Sequence, residues 1–100
     1  MTTRQVRFLR RAVADLSEIS AYLAVEAPEA RARILERLVE TGESLAAHAE
    51  RGPGARDPAL ASRRFRSIRC DRYILFYKIA GRVVRIHRVL HERRAWADLV

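Results

Sequence analysis

The sequence predicts an α+β fold, ordered β-α-α-β-β-β, with a helical hairpin packed on a twisted, mostly antiparallel four-stranded sheet. Residues 12–46 carry apolar side chains at the 3.6-residue helical period, interrupted at Pro28. Gly52-Pro53-Gly54 and Asp57-Pro58 then punctuate a loop. Beyond it the apolar residues are aromatic or β-branched and come in short runs, as strands require. The chain of 100 residues suits one domain spanning its whole length, since chains this size bury roughly 60–70% of their unfolded surface in a single core.

Gln5-Val6-Arg7-Phe8-Leu9 reads as a first strand with Val6 and Phe8 on one side. Ala12, Leu16, Ile19 and Leu23 then form one helical stripe, with Asp15, Glu18 and Glu26 off it. Pro28 stops this helix and can open the next, because the first helical position needs no N–H bond. The second stripe runs Ile34, Leu38, Thr41 and Leu45, widened by Leu35 and Ala46, and Gly42 weakens it by about 1 kcal/mol relative to Ala. Arg63 to Arg69 is a strand whose alternation is interrupted by arginines. Tyr73 to Ile79 is apolar on both faces, which fits a central strand. Ala80-Gly81 marks a hairpin turn, and Arg82 to Leu90 forms the last strand. His91 to Arg94 leaves it, and Ala95 to Val100 is a short tail carrying Trp96 and Leu99.

Composition narrows the function. Hydrophobic residues make up 49% of the chain, enough to fill a core and to argue against disorder. Cys70 is alone, so a disulfide scaffold is excluded. No apolar run approaches the ~18 residues of a membrane span. Charge recurs every few residues in Met1 to Arg7, unlike a signal peptide, so a cytoplasmic bacterial protein is expected. The net charge of +8 is segregated: residues 1–50 hold 7 Arg against 8 acids, and residues 51–100 hold 13 Lys+Arg against 4 acids. A basic half of this kind predicts an acidic partner, either nucleic acid or an acidic protein segment.

Arg7, Ala12, Asp15-Leu16, Ile19, Tyr22-Leu23 and Pro28 resemble the opening of the ParE/RelE toxin superfamily. Arg72-Tyr73-Ile74-Leu75-Phe76-Tyr77-Lys78-Ile79 resembles the central strand of that family. Val84 to Arg94, through Arg88-Val89-Leu90-His91, resembles its closing motif, with Glu92 in place of a frequent Gly and Ala95 in place of a frequent Asp. The resemblance covers roughly residues 4–95. It implies the toxin of a type II toxin–antitoxin system, with the β-α-α-β-β-β fold reached above. It also implies a cognate acidic antitoxin, ParD-like and of ribbon-helix-helix type, in a hetero-oligomer that touches DNA only through the antitoxin. Plasmid stabilisation and growth inhibition are the associated roles.

Members of the superfamily divide between inhibitors of DNA gyrase (ParE-type) and ribosome-dependent mRNA endonucleases (RelE-type). RNA cleavage by 2′-OH attack needs a base, cations for the phosphorane and an acid for the leaving oxygen. His91, Arg66 and Arg88 are the candidates for that chemistry. The near absence of Lys, with only Lys78 present, and the lack of a Tyr after His91 favour the gyrase inhibitor, which has no catalytic residues. A non-toxic basic RNA-binding module is a further alternative, short of aromatics interleaved with its basic residues. Arg64, Arg66, Arg85, Tyr73, Tyr77, Arg93, Arg94 and Trp96 are the candidates for contact with antitoxin or target. Arg63 and Arg82 suit strand-end charges that discourage edge pairing. On a two-residue period Arg85 and Arg88 cannot share a face, so a strand bend or a turn toward the helices is expected, with Arg88 partly buried against Asp15. His87 and His91 do not converge on a strand and its exit. No carboxylate cluster joins them, so neither a metal nor any other cofactor is expected.

Overall fold

A computed structural model of the chain describes residues 3–52, 54 and 58–94. Its elements are β1 (Gln5–Phe8), α1 (Arg10–Glu26), α2 (Arg31–Glu43), α3 (Pro58–Ser62), β2 (Arg66–Cys70), β3 (Tyr73–Ala80) and β4 (Val83–His91). Single 3-10 turns, Ser44–Ala46 and Ala49–Arg51, continue from α2. The sheet order is β1-β4-β3-β2, with β1 parallel to β4 and the other pairs antiparallel. This is the expected α+β architecture, with a short third helix added inside the expected loop.

The hairpin stripe is correct for Ala12, Ile19 and Leu23, and Asp15 is buried beside them. Helix α2 begins at Arg31 rather than at Pro28, because Ala27 to Ala30 are used in a turn closed by the Ala30 N–H to the Ala27 carbonyl. Arg31 clips the two helices together by donating Nε and Nη2 to Ser20 Oγ, at 3.0 and 2.8 Å. Gly42 sits where α2 meets the sheet. A Cβ there would lie 2.4 Å from Phe8 Cζ and 2.7 Å from Ile86 Cδ1, so the glycine lets helix and strands approach closely.

The hairpin packs on one sheet face through Leu38, Leu45, Leu75, Tyr77, Val84 and Ile86. On the other face Leu60, Phe65, Ile74, Phe76 and Leu90 form a second apolar cluster. Helix α3 supplies its lid. The helix ends in a Schellman motif: the Phe65 N–H donates to the Leu60 carbonyl and the Arg64 N–H to the Ala61 carbonyl, at 3.1 and 2.9 Å. Arg64 takes the left-handed position with φ of 63°, where glycine is usual. The accompanying apolar contact is Phe65 with Leu60.

The β3–β4 turn is Gly81-Arg82, one residue later than expected, since Ala80 pairs with Val83 and Gly81 has φ of 60°. The bend expected between Arg85 and Arg88 is a β-bulge: Tyr77 faces Ile86 and Phe76 faces Arg88, leaving His87 as the extra residue. Strand β1 ends at the Phe8–Ile86 pair, so β4 beyond it has no strand on that side. Asp15 of α1 fills the gap. Its Oδ2 accepts from the Val89 N–H at 2.9 Å and from Arg88 Nε at 2.7 Å, and its Oδ1 accepts from Arg88 Nη2 at 2.8 Å. Asp15 and Arg88 are 5% and 8% exposed, the buried charged residues among those described.

Removing one partner of such a pair leaves an uncompensated buried charge. Asp15→Ala is expected to lower the urea-unfolding free energy by about 3–5 kcal/mol, while Asp15→Leu/Arg88→Met, which replaces both charges with apolar chains, costs less. Equal losses for the two variants would contradict this asymmetry.

Candidate binding surfaces

Between the second half of α1 and the ends of β3 and β4 lies a cleft of about 400 Å³. Glu18, Ile19 and Tyr22 line it from α1, Tyr73 from β3, and His91, Arg93 and Arg94 from the end of β4 and beyond. Tyr73 is buried at the base, and its ring meets His91 edge-to-face at 5.6 Å. Burial first, then Tyr22, pushes the Tyr73 hydroxyl above the usual tyrosine pKa, so it stays a neutral donor. His91 Nδ1 accepts from the Arg93 N–H at 3.2 Å, which fixes the imidazole at the cleft mouth. Tyr22, 60% exposed, and Val25, 79% exposed, give α1 an apolar outer surface. Exposed arginines at 93 and 94 supply the positive charge beside it.

The other expected contact residues are dispersed. Tyr77 is fully buried, donating its hydroxyl to the Ala49 carbonyl at 2.6 Å and accepting from the Gly52 N–H at 3.1 Å. It anchors the loop rather than meeting a partner. A Cβ at Gly52 would lie 2.3 Å from that hydroxyl, so glycine is what lets the loop reach it. Arg66 is half-buried and donates to the Gly52 carbonyl at 2.8 Å. Arg88 is held by Asp15, and the ion pair keeps its guanidinium more firmly protonated than usual. Arg64 and Arg85 are exposed, on or beside the sheet face away from the hairpin. Trp96, Ala95 and Leu99 lie outside the described residues. Glu92 forms an ion pair with Arg69, which gives the departure at that position a structural use.

Sequence reasoning passed over the surroundings of His87. Phe65, 2% exposed, meets His87 edge-to-face at 5.0 Å, with Lys78 Nζ 4.3 Å and Arg63 Cζ 5.2 Å from its ring centroid. The available signal was the cationic spacing around Phe65, but assembling it requires strand register. Among the described residues no group of three or more His, Cys, Asp or Glu could hold a metal, and no helix is long and apolar enough to cross a membrane.

A family profile described as the ParE toxin of the type II toxin–antitoxin system parDE matches residues 6–96. The chain belongs to this ParE toxin family. Y4kP of Sinorhizobium fredii, provisionally named a toxin, is 31% identical over 100 residues, with both chains covered in full. A structure described as the chromosomal ParDE system from P. aeruginosa superposes with a TM-score of 0.70 at 21% identity, covering 89% of this chain and 96% of that one. That likeness is one of fold. A chain of the RelBE2 toxin–antitoxin complex from Mycobacterium tuberculosis superposes with a TM-score of 0.67 at 31% identity, covering 90% and 99%. This ParE-family chain thus carries its fold and most of its length in common with both toxin groups, and its own side chains must distinguish their chemistry.

His87 offers a pH test of the new cluster. Burial first, then Lys78, Arg85 and Arg63, hold its pKa below the ordinary 6.5. As pH falls through that range the unfolded chain takes up the proton first, so stability declines there. Urea midpoints at about pH 7.5 and about pH 5 should differ less in His87→Gln than in the parent protein; equal differences would contradict the placement.

Proposed function

We propose that this type II toxin inhibits DNA gyrase, acts without catalytic residues, and is neutralised by a cognate acidic antitoxin of ParD-like, ribbon-helix-helix type. One observation carries the choice of target: the side chains an RNA-cutting site would draw on do not converge. Arg88 is in a buried pair with Asp15, Arg66 is spent on the Gly52 carbonyl, and His91 stands in the cleft beside Tyr73. A nuclease needs its base and its cations within reach of one phosphate. The face away from the hairpin is, besides, filled at its centre by Leu60, Phe65, Ile74, Phe76 and Leu90.

The antitoxin's seat in this reading is the α1 cleft with its basic mouth. Apolar side chains of a disordered acidic segment would enter against Tyr22, Ile19 and Tyr73, with its carboxylates meeting Arg93 and Arg94. Trp96 and Arg64 remain proposed contacts with antitoxin or target, and the complex would be a cytoplasmic hetero-oligomer that touches DNA through the antitoxin.

The 31% identity to a chain of the RelBE2 complex favours a second reading, ribosome-dependent mRNA cleavage. Two assays on the purified protein separate the readings: gyrase supercoiling and cleavage of mRNA on programmed ribosomes. Loss of supercoiling with intact mRNA is expected. Cuts in mRNA that disappear in His91→Ala, with supercoiling unaffected, would overturn the proposal.

A further inference from the structure

Three cations stand in register across the sheet. Arg7 on β1 pairs with Arg85 on β4, and Arg85 pairs with Lys78 on β3. Val6, Phe8, Val84, Ile86 and Ile79, their neighbours along the strands, belong to the core on the hairpin side, so the three cations share the opposite face. Adjacent strands lie about 4.8 Å apart, and like charges placed directly opposite destabilise a sheet. None of the three forms an ion pair with an acid among the described residues. Phe65 holds Lys78 in place from beneath, through the cation–π contact at 4.3 Å. A row of repelling charges with no counter-charge among the described residues is a feature that folding alone does not require.

We propose that the Arg7–Arg85–Lys78 row binds the phosphate backbone of duplex DNA, independently of sequence. Charge complementarity calls for a polyanion, and the surroundings select its class. An acidic peptide needs apolar anchors to offset the ordering of its chain. The apolar residues under this face, Phe65, Phe76 and Leu90, are 2%, 1% and 3% exposed and offer none. Single-stranded nucleic acid binds by stacking bases on exposed aromatic rings, and both phenylalanines are covered. A duplex needs only cations, because release of condensed counterions drives the binding. The toxin would therefore hold DNA through a surface of its own, distinct from the α1 cleft and without the antitoxin.

The test uses the antitoxin-free protein and a random-sequence 20-base-pair DNA, followed by fluorescence anisotropy across a salt series. Arg7→Gln/Arg85→Gln/Lys78→Gln should bind at least tenfold more weakly near 0.1 M salt, with the slope of log K against log salt reduced by about 3. Arg85→Gln alone should reduce the slope by about 1. A control of equal charge change on other exposed positions, Arg10→Gln/Arg33→Gln/Arg72→Gln, should keep most of the affinity. Thermal unfolding of the row variant should be no lower than that of the parent, since a repulsion has been removed. Equal losses in the row and control variants would overturn the proposal. So would tighter binding of single-stranded DNA or RNA than of the duplex, or displacement of the duplex by a polyglutamate peptide at equal charge.

Discussion

The Asp15 carboxylate is the constraint on which the rest of the structure depends. Strand β1 has four residues and stops at Phe8, while β4 runs on to His91. A strand left bare on one side in the interior would carry unsatisfied amides, each costly to bury. Asp15 reaches from α1 to accept the Val89 amide and both arms of the Arg88 guanidinium. The bulge at His87 sits beside the same stretch, where the register of β4 shifts against β3. One side chain thereby ties α1 to β4. It sets the wall of the cleft above Tyr73 and occupies an arginine that would otherwise be available to a phosphate.

That arrangement divides the molecule functionally. On the hairpin side, the cleft combines buried tyrosine, exposed apolar helix surface and two exposed arginines, a combination suited to a peptide that both buries side chains and pairs charge. On the opposite side, an apolar centre sealed by α3 is bordered by cations in cross-strand register. Arg64 occupies a left-handed position at the rim, at a cost of about 1 kcal/mol relative to the glycine usual in that motif. The excess charge of the second half of the chain is therefore distributed over two surfaces with different neighbours.

Much of the fold was legible in the sequence because periodicity reports burial. Ala12, Ile19, Leu23, Leu38 and Leu45 fall on the stripes and are buried. The arginine spacing in β4 also pointed to a strand bend or a turn toward the helices, and to a helix carboxylate such as Asp15 as the partner of a partly buried Arg88; the structure has both the bulge and that pair. Other features depend on contacts that no local pattern encodes. Helix α3 has five residues, too few to show a period, and its stop signal is an arginine rather than a glycine. Tyr77 looks like a binding aromatic in the sequence, yet its hydroxyl is committed to Ala49 and Gly52, 28 and 25 residues away. The row of Arg7, Arg85 and Lys78 exists only once register is known, since Arg7 and Arg85 meet through a parallel pairing across most of the chain.

Hydrogen exchange at the Val89 amide, followed by NMR, probes the central constraint directly. If Asp15 substitutes for a missing strand, this amide exchanges only through global unfolding, as slowly as the β3–β4 amides around it. Exchange through local opening, orders of magnitude faster than those neighbours, would show that β4 is unsupported there and would return Arg88 to the set of residues available for chemistry.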